Sequence, residues 1–335
     1  MTLGTRALGV VLLAVLVLSP PVAGAQPLRG HAEAGRLPRI GFLGNTTPAL
    51  EANLLGPFRE GLRELGLVEA RTVVVESRWL EGDYARLPRL VGELLAANVD
   101  VIVTAGTPAT LAVKRATTTV PLVMIAVGDP VGTGIVPSLN HPGGSITGLT
   151  SISTEMDGKR LELLRDVVPA VSLVAVLWNA ASPLQVLAEQ QTRAAAQVLK
   201  IRILSLGVKT REDIEGAFGV IRKERPGALL VLADRLFLQH RAHVMEFALQ
   251  QRLPGVHAYR ELIEAGGLMS FGPSYADMHR RAAYFVDRIL KGARPADLPI
   301  ERPGLFELVI NMKTARAMGV TIPQSVLLRA TELIE

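Results

Sequence analysis

The sequence predicts an α/β protein of two Rossmann-like lobes, each built on a parallel sheet covered by helices. Short apolar runs rich in Val, Ile and Leu alternate with stretches of helical spacing from Pro38 onward. That alternation is the pattern of parallel strands buried on both faces by crossover helices. The rhythm pauses after Glu155 and begins again, so the same architecture is laid down twice. The chain has 335 residues, which at about 150 residues per domain suits two domains. Hydrophobic residues make up 49% and charged residues 20%, a composition that excludes a disordered or fibrous chain.

In the first half, strand Arg39–Gly44 is followed by helix Ala49–Gly66, strand Thr72–Trp79 and helix Tyr84–Asn98. Strand Val99–Ala105, helix Ala109–Thr117, strand Leu122–Val127, a short helix near Val131–Leu139 and strand Ser145–Ser151 complete it. The second half opens with helix Met156–Val168, strand Ser172–Trp178, helix Pro183–Leu199, strand Ile201–Leu206 and helix Arg211–Glu224. Strand Ala228–Ala233, helix Phe237–Arg252 and strands Gly255–Ala258 and Leu268–Phe271 follow. Helix Tyr275–Leu290 and strand Phe306–Ile310 finish the core. Strands set between helices in this order form doubly wound sheets.

Residues 1–25 read as a cleavable export signal. Arg6 gives a positive start, Ala7 to Leu18 is an apolar run, and Ala23-Gly24-Ala25 supplies small residues for cleavage near Ala25. The run is shorter than the roughly 20 residues needed to span a bilayer. Residues 26–37 form a polar leader. There is no cysteine, which removes thiolate metal sites, disulfides and cysteine nucleophiles, and also any lipid attachment at a new N-terminus. The net charge of +5 is scattered and aromatics are only 4%, so no nucleic-acid partner is expected.

The prolines point to the ligand. Thr47-Pro48, Thr107-Pro108, Asp129-Pro130 and Ser182-Pro183 each stand where a strand ends and a helix or turn opens. Proline fits the first helical position, and Ser, Thr or Asp is a good cap, so each pair taken alone is satisfied by capping. In doubly wound sheets these junctions lie at the carboxyl edge, where ligands bind, and the helix amides and dipole there suit an anion. Four junctions over two lobes favour a cleft that accepts a carboxylate or other anion. Asp129 and Asp234 end apolar strands and are candidates for a ligand ammonium, with capping or ion pairing as the alternative. Asn179 follows Trp178 and either bonds a ligand or turns the chain. Trp79, Tyr84, Trp178, Phe237, Tyr259 and Phe271 are available to pack on a ligand, although core packing accounts for most aromatics.

Signatures of catalysis are missing. No G-x-x-x-x-G-K, G-x-G-x-x-G, G-x-S-x-G or H-E-x-x-H pattern occurs. His240 and His243 share a predicted helix face without an evident third ligand, so neither a metal nor a cofactor is expected.

The runs Val103–Thr110, Val120–Pro130, Asn140–Thr150, Gly267–Gly272, Ile289–Pro299 and Leu308–Lys313 carry a family resemblance. From about Pro38 to Ile334 the chain resembles an ABC-transporter substrate-binding protein of the tryptophan/tyrosine-binding type. The resemblance implies a type I periplasmic-binding fold with ligand between two lobes joined by three crossovers. Lobe 1 would comprise 38–151 and 274–295, and lobe 2 would comprise 157–271 and 304–335, with hinges near 152–156, 272–273 and 296–303. It also implies a monomeric solute receptor, free in a periplasm, partnered by an ABC permease of the inner membrane. On the helix-end reasoning together with the resemblance, the expected ligand is an amino acid or similar solute. Asn45, Thr46, Thr107, Ala109 and Asp129 should line the first wall of the cleft. Asn179, Ser182 and Asp234 should line the second, with Ser270 and Phe271 at the second crossover. A ligand-presenting sensor subunit or a secreted α/β enzyme would share these features.

Overall fold

The computed structural model of the chain describes Met1 and residues 36–335; the export signal and most of the leader lie outside the described residues. The first half runs β1 (Arg39–Gly44), α1 (Ala52–Glu64), β2 (Val74–Trp79), α2 (Leu87–Ala96), β3 (Val101–Ala105), α3 (Thr107–Ala116), β4 (Leu122–Val127) and β5 (Ile146–Thr150). The five strands form one parallel sheet in the order β2-β1-β3-β4-β5. Alternate side chains of the central strands feed two cores. Ile40, Phe42, Val101, Val103, Val123 and Ile125 face one way, onto Phe58 and Leu62 of α1. Leu43, Ile102, Leu122 and Met124 face the other, onto α2 and α3. This period-2 division of near-continuous apolar strands is what a sheet covered on both faces requires.

The second half adds α4 (Ser153–Val167), β6 (Leu173–Asn179), α5 (Pro183–Val198), β7 (Arg202–Val208), α6 (Arg211–Glu224) and β8 (Ala228–Val231). It continues with α7 (Arg235–Gln239), α8 (Arg241–Gln250), β9 (Val256–His257), α9 (Arg260–Glu264) and β10 (Met269–Pro273). Strands β7-β6-β8 pair in parallel, as do β9 and β10. The Leu229 amide donates to the Pro254 carbonyl, which places the start of β9 beside β8. Helix α10 (Tyr275–Leu290) then crosses back to pack on α1, β4 and β5. Glu301 pairs with Leu149 of β5 before the chain returns as β11 (Phe306–Asn311), followed by α11 (Met312–Met318), α12 (Gln324–Leu327) and β12 (Glu332–Ile334). The second half thus holds a three-stranded sheet, β7-β6-β8, abutting a four-stranded one, β12-β11-β10-β9, and the chain passes three times between the two halves. The passages touch one another, through Arg302 to Glu155 at 2.9 Å and the Ser274 amide to the Leu305 carbonyl at 3.0 Å.

Several local expectations differ from what forms. Residues 131–139 make turns, since the amides of Ile135 and Val136 both donate to Pro130 and Gly134 takes a positive φ of 67°; two glycines and Pro137 leave too few helix formers there. The helix expected over Phe237–Arg252 is two helices, α7 and α8, meeting at His240. Strand β11 runs antiparallel to β10, so the second sheet is mixed at that edge. Short α9, α11, α12 and β12 were not expected, being too brief for periodicity to register.

Candidate ligand-binding cleft

The carboxyl ends of strands from both halves face each other across a small, partly open cavity of about 30 Å³. Each wall is set by what happens just after a strand. Beyond β1, the Glu51 carboxylate accepts the Asn45 amide at 3.1 Å, the Thr46 amide at 2.9 Å and the Thr46 hydroxyl at 3.1 Å. The Asn45 side chain donates to the Ala105 carbonyl at 2.9 Å, tying the β1 loop to the end of β3. Beyond β3, Gly106 holds φ at 80° and caps α3, so Thr107 and Pro108 fall inside the first helical turn. Amides in that turn have no partner within their own helix.

The four proline junctions separate into two kinds. The Thr47 hydroxyl accepts the Leu50 amide, and the Asp129 carboxylate accepts the Gly132 amide at 2.7 Å, so both are spent on local turns. The Thr107 hydroxyl, on a residue 1% exposed, is buried and has no hydrogen-bond partner among the described residues. Ser182 caps α5 with its backbone only. Thr107 and Ser182 are the two that line the cavity. Capping thus explains the first pair and fails to explain the second.

Beyond β8, Asp234 is buried and its Oδ1 accepts both the Asn179 side-chain amide at 3.0 Å and the Leu236 amide at 2.9 Å. Burial pushes its carboxyl upward from the usual range, against the pull of the Asn179 and Leu236 hydrogen bonds and of Arg235. Arg235 is also buried, with its guanidinium 5.5 Å from the centre of the Tyr259 ring. The Tyr259 and Tyr275 rings lie 5.1 Å apart. Burial is the main reason that both phenols are raised above their ordinary value, so they remain protonated donors. Half-buried Tyr84 completes this aromatic side of the cavity.

Of the sequence-predicted residues, the structure brings Asn45, Thr107, Ser182 and Asp234 together around the cavity. Thr46 borders an adjoining space with Glu51 and Arg235. Ser270 borders a second cavity of about 40 Å³ that shares Tyr275 with the first. Asn179 stands behind Asp234. Ala109 is packed in the apolar core beside Leu43 and Val113, and Asp129 closes its own turn. Phe271 stacks on Phe306, and its carbonyl accepts a hydrogen bond from Arg160 at 2.7 Å.

Sequence reasoning passed over Arg235, Tyr275 and Glu51. For Arg235 a signal existed, because it directly follows Asp234 at a strand end; for Tyr275 and Glu51 there was none. Among the other aromatics, Trp79 packs on Phe42, the Trp178 indole donates to Ser205 and Phe237 is buried in the core.

Close contacts join the two walls over the cavity. The Gln239 side chain donates to the Glu81 carbonyl at 3.3 Å, and Asn53 donates to Glu261 at 2.8 Å. A Cβ on Gly128 would stand 2.6 Å from Leu184, so only glycine lets the first wall approach α5 this closely. Among the described residues no group of three or more potential metal ligands occurs, and His243 pairs with Glu215. No helix among them is long and apolar enough to cross a membrane.

Comparison with known proteins places this geometry. Residues 46–334 match the model of the ABC transporter substrate binding protein family. A protein of Clostridioides difficile (strain R20291) described as a tyrosine-binding protein is 24% identical over 273 residues, covering 82% of this chain and 78% of that one. The crystal structure of an ABC domain from Streptococcus pneumonia in complex with L-Trp superposes with a TM-score of 0.83 at 26% identity, over 89% of this chain and all of the other. A conserved domain protein from Vibrio cholerae O1 biovar El Tor superposes equally well, at 0.83 and 27% identity over the same shares.

Proposed function

The chain belongs to the family of ABC transporter substrate-binding proteins, and on that premise we propose that it is a periplasmic receptor that closes its two lobes around an amino acid or similar small carboxylate. The observation that carries the ligand class is the partnerless, buried Thr107 hydroxyl in the first turn of α3, at the wall of the cavity. A carboxylate there would accept from that hydroxyl and from the first-turn amides, with the positive helix end adding to the attraction. Its ammonium would meet Asp234, whose Oδ1 is occupied within the protein while Oδ2 has no hydrogen bond among the described residues. Asp129 is the weaker candidate, because Gly132 already engages its carboxylate. The relatives described as tyrosine-binding and solved with L-Trp support an amino acid.

In this reading the protein performs no chemistry. Lobe 1 comprises 38–151 with 274–295, lobe 2 comprises 157–271 with 304–335, and the three passages between the sheets act as the hinge. Closure around ligand shifts a population that an inner-membrane ABC permease recognises. The export signal delivers the mature chain, as a monomer, to the periplasm without a lipid tether. The test is direct. Protein unfolded, dialysed free of ligand and refolded is titrated with each of the common amino acids by calorimetry and thermal shift. At least one should raise the melting temperature by several degrees, and a flat response to all of them refutes the ligand class.

A further inference from the structure

Arg235 is 6% exposed, yet among the described residues its guanidinium forms no ion pair and no side-chain hydrogen bond. The guanidinium lies over the Tyr259 ring, an arrangement that leaves the donors at its edge unused. None of its nitrogens is sealed away without a partner, so its N–H donors are open to an acceptor that enters the cavity, and a largely buried charge requires compensation. Burial works against the charge, but Tyr259, Glu51, Tyr275 and Glu261 together outweigh it and hold the group firmly cationic.

Each neighbouring acid is engaged through one oxygen, with Glu261 Oε2 left without a partner, and among the described residues none pairs with the guanidinium. Asp234 receives Asn179 and Leu236, Glu51 receives the β1 loop, and Glu261 receives Asn53. All three lie near enough to be felt and none is in ion-pair contact. The donors of Arg235 therefore border both the main cavity and the space beside it, with an acceptor still to come.

We propose that Arg235 is the charge that recognises the ligand's carboxylate, reaching from the second wall while the neutral donors of α3 hold it from the first. This rests on the carboxylate reading above. The planar fork of a guanidinium matches a carboxylate in a bidentate pair, which an ammonium cannot reproduce. The acids around it limit the acceptable charge, so a single carboxylate suits the site better than a dianion. An anion gripped from both walls also links recognition to closure.

The experiment compares acids with their amides. L-Tyrosine and L-tyrosinamide, L-tryptophan and L-tryptophanamide, and acetate at high concentration are titrated into wild type, Arg235→Gln and Arg235→Lys, each checked for folding by circular dichroism. In wild type the acid should bind at least about a hundredfold more tightly than its amide, a loss on the scale of a buried charge-assisted pair. Arg235→Gln should cut acid binding by about that factor and leave the amide within roughly threefold, while Arg235→Lys falls between.

Equal weakening of acid and amide would show a structural role and overturn the proposal, as would undiminished acid binding in Arg235→Gln. If acetate stabilises wild type but not Arg235→Gln, and no amino acid binds, the inference stands and the amino-acid ligand falls. If neither acetate nor any acid shifts wild type, both fall.

Discussion

Buried hydroxyls normally find partners, and leaving one unsatisfied costs about 1–3 kcal/mol. Thr107 carries such an unsatisfied hydroxyl, so its isostere should reveal what the hydroxyl is for. Thr107→Val keeps the shape and removes the orphan. We expect unchanged or slightly higher stability in denaturant melts, together with about tenfold weaker binding of the amino-acid ligand. A variant that is destabilised with intact affinity would mark the hydroxyl as structural. At this scale the proline junctions were legible in sequence, but only as a class. Whether a carboxylate serves its own turn, as Asp129 does through Gly132, or faces a cavity is decided by amides three residues away and by what stands opposite.

Helix α4 carries the most enclosed charge among the described residues. Arg160 is completely buried, pairs with Asp157 one turn earlier and donates through Nε to the Phe271 carbonyl. It thereby fastens the helix that follows the first passage to the strand that precedes the second. Burial pushes Asp157 up to about 6 despite the Arg160 charge beside it, a sign that desolvation rivals the pair's attraction. Removing one partner should then be worse than removing both. Arg160→Met is expected to destabilise by about 3–5 kcal/mol, and the double variant with Asp157→Leu should recover most of that loss. A double variant no more stable than the single would refute this account in urea titrations. Nothing in the spacing of helix 156–168 announced the clamp, because its acceptor lies more than a hundred residues away.

Over the whole molecule, four buried groups bear on stability in the acid range: His257, His279, Asp157 and Asp234. Burial lowers His257 to about 3, with Arg160 assisting, and lowers His279 to about 4 against the hydrogen bond from its ring to Tyr275. A depressed histidine contributes stability above its unfolded value of 6.5 that is lost as pH falls towards the folded value. Asp157 has the opposite sign: raised from 3.8, its contribution is complete at low pH and lost as pH rises through about 6. Asp234, also raised by burial, acts in the same direction as Asp157. Each depressed histidine contributes about 1.4 kcal/mol per pH unit between its folded and unfolded values. Replacing His257 with Asn should therefore lower the slope of stability against pH between 6 and 4 by about that amount per unit. Urea unfolding of wild type and variant at pH 6.5, 5.5 and 4.5 checks this, and parallel slopes would contradict it.

The sequence by itself determined the two α/β lobes, most strand positions and the junctions where helices begin, because periodicity, caps and prolines act between neighbouring residues. Only the tertiary structure decided that Asn45, Thr107, Ser182 and Asp234 share one cavity, that Arg235 and Tyr275 join them, and that Asp129 and Ala109 do not. Those outcomes depend on side chains brought together across two sheets, where burial and competition for hydrogen bonds, rather than local spacing, set which groups remain for a ligand.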